Sequence, residues 1–188
     1  MTTAVIKPGS GNPIRGQTVA LKCWGQTVDE MLFKEPVSVK SALGENPKRV
    51  YSDQKKLPST RLGVAAVIRD AFTKAEDYRA KRTAAQHKKE PFDRDPTCEI
   101  LVRVLDGEIP WCQHVHRADD IATALRLADE FGYRLVINHG TEGHLGSRPH
   151  CWEEHPRSSS GRCSPAAARS NSGSAHCETR ACWRALEC

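Results

Sequence analysis

Three histidines, His114, His116 and His139, are the residues of this chain whose type and spacing point to chemistry. His114 and His116 are two apart, so on a strand both imidazoles share one face. A neighbouring parallel strand ending at His139 would bring a third ring within reach of the first two. Neutral imidazole is the commonest biological ligand for zinc and similar divalent ions, and the arrangement suits part of a metal-assisted hydrolytic site. A catalytic zinc usually takes three protein ligands plus water, and this stretch by itself fixes no carboxylate partner. The alternative reading is three polar residues at strand ends, hydrogen-bonded to loops.

The elements that must position these rings can be read on either side of them. Trp111 to His116 is a short strand bounded by Pro110. Asp119 or Asp120 offers an N-cap to a helix whose apolar residues, Ile121, Ala124, Leu125, Leu127, Ala128 and Phe131, recur at one-face spacing, and Gly132 ends it. Tyr133 to Asn138 is a continuous apolar run, the form expected of a parallel strand covered on both faces. The unit reads as a βαβ crossover, and ligands of parallel sheets gather at the carboxyl ends of the strands.

Upstream, strands are predicted at Thr3–Lys7, Thr18–Cys23 and Val37–Leu43, the last with alternation. Pro8 to Pro13 is a Gly, Ser and Asn turn that reads as a plain loop more readily than as an anion-binding one, because no helix follows it. Lys40 falls inside the third strand, where a lysine is costly unless it is paired, carbamylated, functional or able to snorkel to solvent. Gly44 to Tyr51 reads as a polar loop. Pro58-Ser59-Thr60 opens a long helix, capped by Ser59 or Thr60, with a buried stripe of Val64, Ile68, Ala71, Phe72, Ala75 and Tyr78. Lys81 to Lys89 is its frayed, basic, solvated end. Cys98, Leu101, Val102 and Leu105 mark a shorter helix stopping at Gly107. Strands separated by helices imply an α/β fold with a mainly parallel sheet.

The chain has 188 residues, enough for one domain with a core, and a formal net charge of +5. Basic and acidic residues are mixed, which argues against nucleic acid as the main partner. No apolar run approaches the ~20 residues that span a bilayer, and Met1 to Lys7 lacks a signal peptide's apolar region, so no membrane partner is expected and the expected compartment is cytoplasmic. Of eight cysteines, Cys23, Cys98 and Cys112 precede residue 146, while Cys151, Cys163, Cys177, Cys182 and Cys188 crowd the end. The chain is two compositions joined near residue 145.

Six blocks in order carry a family resemblance: P-G-S-G-N-P-I-R-G-Q (8–17), T-V-D-E-M (27–31), K-S-A-L-G-E-N-P-K-R-V-Y (40–51), P-S-T-R-L-G-V-A-A (58–66), H-V-H-R-A-D-D-I (114–121) and N-H-G-T-E-G-H-L (138–145). Over residues 2 to 145 the chain resembles the imidazolonepropionase-like subgroup of the metal-dependent amidohydrolase superfamily. The resemblance implies a (β/α)8 TIM barrel and a divalent metal centre, with zinc as the expected ion. The implied reaction is hydrolysis of a non-peptide C–N bond, in a linear or cyclic amide, by metal-bound hydroxide. A small-molecule amide would be the substrate of the intact relative. By position, His114 resembles the metal ligand on the fifth barrel strand and His139 the histidine on the sixth. His116, Lys40 and Glu142 are candidate metal or substrate contacts; Lys40 resembles the fourth-strand lysine that bridges two metals as a carbamate in some relatives, with Glu45 an alternative nearby. The family's first-strand His-x-His pair and eighth-strand aspartate have no counterpart here, so the expectation is a partial barrel of middle strands only.

Residues 146 to 188 contain no Ile, Val, Phe, Met, Tyr or Lys and cannot build a core. Their cysteines lack C-x-x-C pairs, which weighs against a zinc module. An unstructured tail is expected, and a shifted reading frame accounts for its composition: serine TCN and cysteine TGY codons, read one base earlier, restore apolar residues. The reading from sequence is therefore an amidohydrolase barrel fragment over residues 1–145, inactive as it stands, with a frameshifted tail over 146–188. Two rivals are a small metal- or ligand-binding module that folds independently and a basic interaction protein whose tail folds on a partner.

Overall fold

The computed structural model describes residues 1–143. In chain order the elements are β1 (Thr3–Ile6), β2 (Ile14–Gln17), β3 (Val19–Lys22), α1 (Val28–Met31), β4 (Leu32–Lys34), β5 (Val39–Ala42), α2 (Glu45–Asp53), α3 (Arg61–Lys88), α4 (Pro96–Leu105), β6 (Trp111–Val115), α5 (Ala118–Phe131) and β7 (Leu135–His139). The expectations for residues 146–188 lie outside the described residues.

Four strands form the sheet that matters for the histidines, in the order β2-β5-β6-β7. β5, β6 and β7 are parallel, with Ala42 beside His114 and His114 beside Asn138, while β2 runs antiparallel to β5. Parallel strands need long crossovers, and the helices after β5 and β6 supply them. The first two expected strands correct the picture of one mainly parallel sheet. β1 and β3 pair antiparallel, Thr3 opposite Lys22, and join β4 in a separate three-stranded sheet. No helix lies between β1 and β3, so nothing in the connection forces a parallel crossover.

One face of the four-stranded sheet carries the apolar core. Trp111 is fully buried and lies edge-on to Phe72 of α3 at 4.8 Å between centroids, and Phe72 also stacks on Tyr133 at 4.7 Å and on Phe131 at 5.2 Å. The α3 stripe matches its predicted spacing: Val64, Ile68, Phe72, Ala75 and Tyr78 are buried, with Ala71 half-buried. From α5, Ile121, Ala124, Leu127 and Ala128 close the same core. No helix among the described residues is long and apolar enough to cross a membrane.

Local differences have local causes. Glu45–Asp53 is a helix rather than a loop; Pro47 sits in its first turn, where backbone N–H groups are unpaired in any helix, so the proline costs nothing there. Thr60, not Ser59, caps α3 by accepting from Gly63 N, and the basic end stays helical to Lys88 instead of fraying, closed by Lys89 in the left-handed conformation. Arg117 occupies the N-cap position of α5, and Asp119 and Asp120 fall in the first turn, where their charge complements the helix dipole. All four β5 residues are buried, so the apparent alternation of Val37–Leu43 does not mark a solvent face. β7 is half-buried rather than covered on both faces, since among the described residues it is an edge strand paired only with β6.

Candidate metal centre

The strand ends deliver the three histidines to one place. His114 projects from β6 on the face opposite Trp111 and Gln113, His116 lies just past the strand, and His139 is the last residue of β7, beside Val115. Each pair of ring centroids is 4.7 Å apart, and one nitrogen from each ring falls within 4.8 Å of the others. Turn geometry holds the rim: His139 and Gly140 take φ of 75° and 60°, while Gly140 N donates to Val115 O and Glu142 N to His116 O, both at 2.9 Å. A non-glycine residue at positive φ is uncommon and stores strain, which here aims His139 at the other rings.

Burial and neighbouring positive charge disfavour the protonated form of two of the rings. Burial, followed by the charges of Lys40, His139 and His116, pulls His114 down from 6.5 to about 4; burial, then His116, Lys40 and Lys7, lowers His139. Both rings are therefore neutral near pH 7, each with one N–H and one lone pair, and His114 is only 6% exposed. Three imidazoles that close together fit a divalent metal of zinc's ligand preferences. Among the described residues no carboxylate joins the cluster.

Hydrogen bonds already engage one nitrogen on two of the rings. Asn46 Nδ2 lies 3.0 Å from His114 Nε2 and donates to Ser10 Oγ at 2.7 Å, while His116 Nδ1 lies 2.8 Å from Thr141 Oγ1. Among the described residues, Nδ1 of His114 and Nε2 of His116 make no hydrogen bond. Asn46 is placed by the start of α2: Leu43 N donates to His114 O at 3.0 Å, and Gly44 turns with φ 86°, where a Cβ would meet Asp120 Oδ2 at 2.7 Å. Asn46, His114, His116 and Asp120 line a small cleft of about 60 Å³. Ser10, Asn46 and Thr141 were not picked out as site residues by spacing, although each lies in one of the six family blocks.

The other candidates lie elsewhere. Lys40 is 4% exposed on β5, beside Cys112 and one step below the His114 level, and burial holds its amine below the usual lysine range, with Cys112 acting in the opposite sense. On the same face Lys7 Nζ reaches Asn138 Oδ1 at 3.1 Å and Cys112 Sγ at 3.4 Å, and Asn138 Nδ2 reaches the same sulfur at 3.1 Å. Glu142 accepts from Ala118 N at 3.1 Å, capping α5. Glu45 pairs with Lys48 at 3.4 Å and Arg61 at 3.5 Å. Neither carboxylate belongs to the histidine cluster.

A histidine cluster at the carboxyl ends of parallel strands, with helices packed behind, defines an α/β protein with a candidate metal centre. No family model matches the chain. It is 26% identical over 166 residues to "Amidohydrolase tasK" of Hapsidospora irregularis, across 77% of this chain and 17% of that protein. The crystal structure of an amidohydrolase from Thermotoga maritima MSB8 superposes with a TM-score of 0.75 at 48% identity, over 77% of this chain and 38% of that one. Both matches support the amidohydrolase superfamily as the relationship of this chain, which spans well under half the length of either relative.

Proposed function

We propose that this chain carries the histidine portion of a metal-dependent amidohydrolase site, of the imidazolonepropionase-like subgroup, that acts on a non-peptide C–N bond of a small amide. The observation that carries the reading is the convergence of His114, His116 and His139, each ring 4.7 Å from the other two, in a chain whose relatives are amidohydrolases. The three imidazoles would hold a divalent ion, with zinc the best match to an all-nitrogen set. Bound there, the ion supplies Lewis acidity and brings a water's pKa toward neutrality.

The chain's own groups do the rest. Burial keeps His114 neutral and so available as a ligand, and Thr141 orients the His116 ring. Lys40, buried and with its amine held low, is suited to the carbamate role that the resemblance gives it, because only a neutral amine reacts with carbon dioxide. A carboxylate to move the water's proton is absent from the cluster among the described residues. In this reading the base and the remaining ligands belong to parts of the barrel outside the aligned portion, and residues 1–188 bind metal without turning over substrate.

The test is a turnover assay on linear and cyclic amides with zinc, cobalt or manganese supplied. No hydrolysis is expected from the 188-residue chain, and hydrolysis lost on His114→Ala or His139→Ala is expected from a version extended upstream and reframed after Leu145. Metal-dependent turnover by the 188-residue chain itself, abolished by His114→Ala, would overturn the proposal that it is an incomplete site.

A further inference from the structure

Asn46 stands between the P-G-S-G-N-P loop and the deepest of the three histidines, with Nδ2 at 2.7 Å from Ser10 Oγ and 3.0 Å from His114 Nε2. A neutral imidazole carries one N–H and one lone pair, and only the lone-pair nitrogen can ligate. Because Asn46 engages Nε2, the nitrogen of His114 left for an ion is Nδ1. Ligation through Nδ1 requires the ring proton to sit on Nε2, and that N–H then needs an acceptor.

The Asn46 carboxamide meets this need by a half-turn of its terminal torsion. Its two ends are nearly the same shape, one a donor and the other an acceptor. With Nδ2 toward the ring, His114 offers its Nε2 lone pair and carries its proton on Nδ1, the tautomer that cannot ligate there. With Oδ1 toward the ring, Nε2–H donates to Asn46 and the Nδ1 lone pair is free. Ser10 follows either orientation, since a hydroxyl accepts from the amide in the first and donates to the carbonyl oxygen in the second. The backbone, rather than the ion, holds Asn46 in place: Leu43 N is bonded to His114 O, and Gly44 makes a turn whose Cβ position is closed by Asp120.

We propose that Asn46, backed by Ser10, is a positioning residue that sets the tautomer of His114 and thereby the metal affinity of the cluster. The inference deepens the metal-centre reading and rests on it. A helix-start asparagine so placed would act on affinity without touching the ion.

The experiment uses the full 188-residue chain and titrates Co2+ by its visible absorption, then Zn2+ by competition, for wild type, Asn46→Asp, Asn46→Leu and Ser10→Ala. Loss of a partner that orients a ligating histidine typically costs 10- to 100-fold in metal affinity, so Asn46→Leu is expected to weaken binding by about that factor. Asn46→Asp, an acceptor in every orientation, is expected to bind as tightly as wild type or more so, and Ser10→Ala to fall between. Two-dimensional 1H–15N spectra of the imidazoles supply a readout that a structural role would not move: His114 in Asn46→Asp should hold the Nε2–H tautomer before any metal is added. Equal affinity for Asn46→Asp and Asn46→Leu, whether both unchanged or both reduced, would overturn the proposal. Absence of binding by wild type would instead sink the metal-centre reading, and the tautomer of His114 in metal-free Asn46→Asp then decides this inference alone, an Nδ1–H ring refuting it.

Discussion

Metal-free protein should lose stability between pH 7 and pH 5, and His114 should be a main cause. In the folded chain its pKa lies near 4, against an ordinary value of 6.5, with burial the largest cause. A depressed folded pKa means that the unfolded chain takes up the proton first as pH falls. The stabilisation is thus complete above about 6.5 and is lost progressively toward pH 4. Linkage across those two values gives about 2 kcal/mol lost by pH 5 from this residue alone. His139, also lowered, adds in the same direction, whereas Asp120, whose carboxyl is raised by burial, opposes it at the acid end. Urea unfolding of wild type and His114→Gln at pH 7 and pH 5, with a chelator present, isolates the His114 contribution because the other groups are common to both. The variant is expected to lose about 2 kcal/mol less than wild type on acidification. An identical loss in both proteins would refute the placement of a buried, neutral imidazole at this site.

Two further substitutions test the supports of the site. Phe72 is fully buried and touches Trp111, Phe131 and Tyr133, so Phe72→Ala should cost about 3–5 kcal/mol by denaturant unfolding; a loss below 1 kcal/mol would mean that the aromatic cluster is not the core behind the sheet. Glu142→Ala removes the carboxylate that accepts from Ala118 N and should cost about 1 kcal/mol of stability while leaving Co2+ affinity within twofold, whereas a large drop in affinity would make Glu142 a metal contact after all.

The histidine geometry was legible in part: the i, i+2 spacing puts His114 and His116 on one face, and a parallel neighbour ending at His139 brings the third ring to the same strand ends. The register, however, sets Asn138 beside His114 and His139 beside Val115, so the turn of His139 toward the other rings depends on its positive φ, which no spacing rule reads. The α3 stripe was legible for a similar reason, as a strong 3.6-residue period over many turns. Three features were not. β2 and β4 are short and mixed in polarity, and their pairing is decided by distant partners. α2 was hidden by Pro47, which usually signals a break but is tolerated in a first turn. The third is Asn46, whose role appears only when α2 is known to start beside His114, since no spacing rule links residues 68 apart.

The central claim is that the three histidines form one metal site, and a calorimetric titration of the metal-free 188-residue chain with Zn2+ tests it most directly. The account predicts one ion per chain, held weakly and removed readily by chelator, and no binding by the His114→Ala/His139→Ala double variant. Binding of equal strength and stoichiometry in the double variant would contradict it.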